Sequence, residues 1–115
     1  MAEGKLYDLK PLIEMIGDDE GLKQMLGVFV DSTPKTLIDL NGNLEANDYE
    51  MLAKNAHKMK ASLDMLKINS LYDVIRRIDK HDKVMDNMND LDEIVRKINE
   101  VLEKVFADIR KTYSL

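Results

Sequence analysis

The chain has 115 residues, the length of one ordinary domain, and 44% of them are hydrophobic, which is enough for a packed core. It contains no cysteine, which excludes disulfides, thiolate zinc sites, iron–sulfur clusters and a cysteine nucleophile. The formal charge of −5 disfavours nucleic-acid binding, and neither a bilayer-spanning apolar run nor an export signal is present in the sequence. These features predict one soluble, cytoplasmic domain over residues 1–115, without nucleic-acid or membrane partners.

The charge is unevenly distributed along the chain. Residues 54–83 carry eight cations and four anions, a local charge of +4, so the remainder carries −9. A basic centre in an acidic protein indicates a local anionic partner, either a phosphate or an acidic pocket on another protein.

The N-terminal part predicts a short helix followed by a long one. Pro11 suits a first helical position, and Gly17 ends a helix that reaches about Ile16. Asp18 and Asp19 both offer a cap for the next helix. Its apolar positions are spaced three and four residues apart: Leu22, Met25, Leu26, Phe29, Val30, Leu37, Leu40 and Leu44.

Pro34 interrupts this second helix, because proline lacks the N–H that an internal helical position donates. We expect a kink, or a break near Ser32, followed by helix to about Leu44.

Three further amphipathic segments follow. Asn47-Asp48 predicts the loop and cap before a third helix, residues 67–70 a tight connection to a fourth helix, and residues 82–89 a loop before the last. No segment alternates like a strand, so the sequence predicts an all-α protein, an antiparallel up-down four-helix bundle with a short extra N-terminal helix. The stripes are Tyr49, Leu52, Ala56, Met59, Leu63 and Leu66, then Leu71, Val74, Ile75 and Ile78, then Leu91, Ile94, Val95, Ile98, Val101, Leu102, Val105 and Ile109.

The third helix carries a histidine opposite its apolar stripe. Since residues three and four apart share a helix face, His57 lies with Ala53, Lys60, Ala61 and Asp64 on the water-facing side. Two alanines leave the imidazole uncovered, and a nitrogen of a neutral imidazole can act as a nucleophile. Lys60 can neutralise an incoming phosphoryl group.

A carboxylate is expected beside this histidine. In a helical hairpin over about residues 48–81, His57 lies ten residues before the turn, or roughly 15 Å along the helix. The same distance back along the neighbouring helix reaches Asp79, whose carboxylate can accept a hydrogen bond from one ring N–H of His57.

The run Ala56-His57-Lys58-Met59-Lys60-Ala61-Ser62 resembles the signature around the phosphorylated histidine of histidine-containing phosphotransfer (Hpt) domains, roughly A-H-x-[LM]-K-G-[SA]. The resemblance covers nearly the whole chain. Its other matching positions are Leu6-Tyr7-Asp8-Leu9, Gly17-Asp18-Asp19, Phe29 with Pro34, Asp48-Tyr49, Leu71 and Ile78-Asp79.

The resemblance implies a phosphorelay carrier that is not an enzyme. His57 would accept a phosphoryl group from an aspartate of a response-regulator receiver domain and pass it to another receiver, while Asp79 orients the imidazole. The chain has no glycine-rich loop of the kind that binds the phosphates of ATP. The resemblance implies no cofactor and no metal site in the chain itself, because the receiver supplies Mg²⁺. Expected partners are receiver domains and a hybrid histidine kinase, and the chain is expected to be a monomer. The partner-binding residues are expected to be Ala53, Lys54, Lys58, Ala61, Asp64, Lys67 and Arg76.

Three positions depart from the family pattern. Ala61 and Lys67 stand where the family usually has glycines, so Ala61 adds a methyl group and Lys67 adds bulk and charge that alter partner docking. Asp64 places a negative charge about two turns from His57, which would mildly oppose phosphorylation.

One other function is open from the sequence, and another is disfavoured by it. A helical adaptor that binds response regulators or other partners without phosphotransfer has Asp64 and Lys67 as its support. A carboxylate-bridged di-metal bundle needs Glu-x-x-His pairs, and neither His57 nor His81 has a glutamate three residues before it. His81 suits a solvated helix end.

Overall fold

The computed structural model describes residues 6–79 and 88–115, apart from the side chains at positions 79, 88 and 89. Within this part the chain forms helices and no strand, as the sequence predicts. The helices are α1 (Lys10–Ile16), α2 (Asp19–Glu45), α3 (Tyr49–Met65), α4 (Tyr72–Asp79) and α5 (Met88–Tyr113), with a 3₁₀ turn at Asn69–Leu71 before α4. The predicted loop at 82–89 lies largely outside the described residues, and its last two positions belong to α5.

Local signals set the first helix boundaries as predicted. Gly17 ends α1 in the left-handed conformation at φ 86°, where its N–H bonds to the Ile13 carbonyl at 2.9 Å. Asp18 then caps α2, because its Oδ1 accepts the Gly21 N–H at 2.5 Å.

Of the two alternatives expected at Pro34, the break near Ser32 is wrong, because α2 is one helix of 27 residues that contains Pro34. The kink stays a prediction. Proline at this position withholds the N–H that the Val30 carbonyl would accept. Arg110 of α5 donates its Nη2–H to that carbonyl at 2.7 Å, so the acceptor is satisfied from a different helix. Buried side chains before and after Pro34, including Phe29 and Leu37, keep the same face of α2 on the core.

The five helices of the described ranges pack as a bundle around one core. α2 packs against α3, α3 against α4, and α5 against both α2 and α4, while α1 lies on α2. The apolar stripes face inward, and each helix contributes side chains with almost no exposure, including Leu12, Leu26, Leu63, Ile75 and Ile98. The bundle measures 45 × 26 × 22 Å, a long axis close to the length of α2.

Polar pairs between helices show that α5 runs antiparallel to α2. The amides of Asn41 and Asn99 exchange two hydrogen bonds, of 2.9 and 2.8 Å, at the end of α2 and the middle of α5. The bond from Arg110 to Val30 joins the C-terminal end of α5 to the middle of α2. The two contacts fix the register of these long helices.

The N-terminal segment closes one end of the bundle. The buried Tyr7 donates its hydroxyl to the Asp108 carboxylate of α5, and the Asp8 N–H bonds to the Leu66 carbonyl at the end of α3 at 2.9 Å. No helix within the described ranges combines the length and apolar composition that crossing a bilayer requires.

Candidate functional site

Helix α3 positions the histidine that the sequence singles out. Asp48 caps this helix by accepting the Met51 N–H at 3.2 Å, and the helix runs without interruption to Met65. Leu52, Ala56, Met59 and Leu63 are buried on one side, which fixes the rotation of the helix about its axis. His57 therefore lies in the middle of a capped and packed helix with its side chain exposed.

The side chains around His57 on the surface of α3 are an alanine and several lysines. Lys54, Lys58 and Ala61 are exposed, and Lys60, one turn after the histidine, is half-buried. Ala53 is only 5% exposed, so its expected place on the water-facing side is wrong. An approaching partner therefore meets His57 between Ala61 and a set of lysines.

Asp64 is neutralised by Arg76 of α4. The guanidinium donates through Nη2 to Asp64 Oδ2 at 2.6 Å and through Nη1 to Oδ1 at 3.2 Å. It also lies 3.6 Å from the centre of the Tyr72 ring, and the Asp64 carboxylate raises the pKa of Arg76 by hydrogen bonding. The charge expected to oppose phosphorylation at His57 is thus compensated within the chain.

The hairpin register brings the last turn of α4 level with His57. Arg76 also donates to the Tyr72 carbonyl at 3.2 Å, so its guanidinium, and with it Asp64, lies at the level of the first turn of α4. His57 lies seven residues before Asp64, about 10 Å along α3, and the same distance along α4 ends near Asp79. Asp79 is the last residue of α4, and because its side chain is outside the described part, its hydrogen bond to the imidazole stays a prediction.

Lys67 occupies a turn that favours glycine. Its φ of 54° is left-handed, and two hydrogen bonds define the turn: Lys67 N–H to the Asp64 carbonyl at 3.1 Å, and Ile68 N–H to the Leu63 carbonyl at 3.0 Å. This pair of bonds is the Schellman motif, in which the left-handed residue is usually glycine. The motif gives a backbone reason for the glycine that is usual at this position in Hpt domains, in addition to the bulk and charge that a lysine brings.

The described residues show no grouping of three His, Asp or Glu side chains suited to a metal ion. His81 lies outside the described residues, so the prediction that it is a solvated helix end stays a prediction.

Comparison with known proteins identifies the family. A family model described as the Hpt domain matches residues 24–109, about three quarters of the chain. No curated protein and no solved structure is significantly similar to it. The matched range contains all of α3 and α4, and hence His57 with the run of residues that resembles the Hpt signature. The chain belongs to the Hpt domain family.

Proposed function

We propose that this chain is a phosphorelay carrier that takes a phosphoryl group onto His57 from the aspartate of a receiver domain and passes it to a second receiver. Membership of the Hpt domain family implies a role in histidine phosphotransfer. The observation that carries the assignment to His57 is its exposed position in the middle of α3, within the run of residues that matches the family signature.

The proposed step is an in-line displacement. The lone pair of one nitrogen of the neutral imidazole attacks the phosphorus of the receiver's aspartyl phosphate, a P–N bond forms, and the P–O bond to the aspartate breaks. The aspartate leaves as a carboxylate, and the other ring nitrogen releases its proton to water, which removes the positive charge from the phosphorylated ring. The reverse step, on a second receiver, takes a proton back from water onto that nitrogen and regenerates the neutral imidazole.

Two side chains are proposed to assist His57. Lys60 follows it by three residues, about 4.5 Å along α3, and its ammonium would offset the phosphoryl charge. Asp79 is proposed to accept the second ring N–H, which would hold the tautomer that leaves the attacking nitrogen unprotonated. Both act on a group that the packed helix already presents to solvent, so little ordering is needed when the partner arrives.

The partners are proposed to be receiver domains and a hybrid histidine kinase, in the cytoplasm, with the chain acting as a monomer. Mg²⁺ would come from the receiver, so the chain itself needs no cofactor. The exposed lysines Lys54, Lys58 and Lys67 would attract the acidic phosphorylation pocket of a receiver, and this attraction would weaken at high salt. Asp64 and Arg76 would contribute as one neutral pair.

The experiment is labelling of the chain by receiver domains charged with radioactive acetyl phosphate. The wild-type protein should acquire acid-labile label, His57→Gln should acquire none, and His81→Gln, which removes the other histidine, should match the wild type. Label on His57→Gln would overturn the assignment. Tight receiver binding by both wild-type and His57→Gln protein, with no transfer from any receiver, would favour the adaptor function instead.

A further inference from the structure

A polar groove runs between α2 and α3 beside the exposed histidine. It has a volume of about 310 Å³. The buried Thr33 and Met59 form its floor, since they are 5% and 2% exposed. Its walls are Ser32, Lys35, Thr36 and Asp39 from α2, and Lys58 and Ser62 from α3. The proposed phosphotransfer chemistry uses none of the α2 residues.

The groove begins at the level of His57 along the bundle axis and extends away from it. Asn55 of α3 donates to Asn43 of α2 at 2.6 Å, which sets the register of these two antiparallel helices. His57 lies two residues after Asn55 on α3. Seven residues forward along α3 and seven residues backward along α2 bring Ser62 opposite Thr36. The groove therefore starts at Lys58, the residue next to His57, and extends about one turn along α3, to Ser62.

A receiver that reaches His57 must cover this region. A standard protein–protein interface buries about 800 Å² on each partner, equivalent to a disc of roughly 16 Å radius. In the register set by the Asn55–Asn43 bond, Lys35 lies opposite position 63 of α3, about 9 Å from His57 along the helix. On the opposite side of His57 the charges of Asp64 and Arg76 already pair with each other. On the groove side, the ion pairs seen among the described residues involve neither Lys35 nor Lys58, so both ammonium groups can bind an incoming anionic group.

The groove offers donors for a carboxylate. Lys35 and Lys58 belong to opposite walls, and the half-buried Ser62 adds a hydroxyl to the α3 wall. Asp39 is the single acidic group, one turn beyond Lys35, and it disfavours a second negative charge at that end. An acidic side chain would accordingly settle near Lys35 and Ser62.

We infer that this groove is a docking subsite for an acidic side chain of the receiver domain, one that lies beside the receiver's phosphorylation pocket. The inference rests on the proposed function for its partner, and it adds Lys35 on α2, which carries no role in the phosphotransfer step. The subsite would set how fast a given receiver forms the productive complex, because a receiver without an acidic residue at that place would gain nothing from Lys35.

The test compares transfer rates among charge variants, using the receiver that labels the chain fastest. Lys35→Ala should lower the second-order rate constant by about threefold at low salt, as expected for one partly exposed charge pair. Asp39→Asn should raise it, since the repelling charge is gone. Lys23→Ala is the matched control: it removes an exposed lysine from the same helix, about 18 Å away, and should change the rate by much less. The effect of Lys35→Ala should shrink in 0.5 M salt.

A titration of the isotopically labelled chain with the same receiver provides a second readout that needs no transfer. Backbone amide signals of Ser32, Lys35 and Thr36 should shift on binding, more than the signal of Lys23. Equal rates for Lys35→Ala and Lys23→Ala, or unchanged groove signals in the bound state, would overturn the subsite. If no receiver labels the wild-type protein but a receiver that binds it still shifts the groove signals, the phosphotransfer function would be overturned and the subsite would stand.

Discussion

Replacing Lys67 by glycine should stabilise the protein. A residue with a Cβ in the left-handed conformation costs about 1–2 kcal/mol, and Lys67 is held there by the two hydrogen bonds of the Schellman motif. A third bond, from the Asp8 N–H to the Leu66 carbonyl, anchors the same turn, so the strain cannot relax by a local rearrangement. Glycine removes this steric cost, but its greater conformational freedom in the unfolded chain lowers the free energy of unfolding by about 0.5–1 kcal/mol.

The net expectation for Lys67→Gly is about 1 kcal/mol of additional stability. That corresponds to a rise of roughly 4 °C in Tm for a domain of this size, or about 0.5 M in the urea midpoint. Urea unfolding followed by circular dichroism at 222 nm measures it. Lys67→Ala is the matched control, because it removes the same charge and keeps the Cβ.

The pair of variants also separates the two roles of this position. If Lys67 acts on partners through its charge, both variants should slow labelling by a receiver equally while differing in stability. Equal unfolding midpoints for Lys67→Gly and Lys67→Ala would refute the argument from backbone strain.

Two further changes test contacts that hold the bundle. Arg110→Met should lower the unfolding free energy by about 1 kcal/mol by removing the donor to the Val30 carbonyl, and by less in a Pro34→Ala background, where residue 34 regains its N–H; equal losses in both backgrounds would contradict this. Burial, and then the hydrogen bond to Asp108, raise the pKa of Tyr7 above its usual value near 10. The folded protein therefore favours the protonated phenol, and the contribution of this preference to the free energy of unfolding is lost as the pH rises beyond 10. The stability difference between wild type and Tyr7→Phe, followed by urea unfolding, should therefore shrink from pH 8 to pH 11, and a constant difference would count against it.

The features that the sequence predicts well are those set by neighbouring residues. Gly17, Asp18 and Asp48 act on helix ends within four residues of themselves, and the boundaries they predict match the structure. The exposure of His57 also follows from the spacing of apolar residues on its own helix.

The features that the sequence misses depend on distant residues. The continuity of α2 through Pro34 involves Arg110, which lies 76 positions later. The neutralisation of Asp64 requires Arg76 from the next helix. The burial of Ala53, which is 5% exposed, does not follow from the spacing of apolar residues on its own helix. The groove at Lys35 exists only because α2 and α3 pair in one register, and no motif in the sequence marks it.

The return of the phosphoryl group tests the central claim most directly. The labelled protein, separated from its donor, would be mixed with an uncharged second receiver and Mg²⁺, and the label followed on both proteins over time. A carrier should lose its acid-labile label at the rate at which the receiver's aspartate gains it. Label that stays on the chain, or that leaves only as inorganic phosphate, would contradict the account.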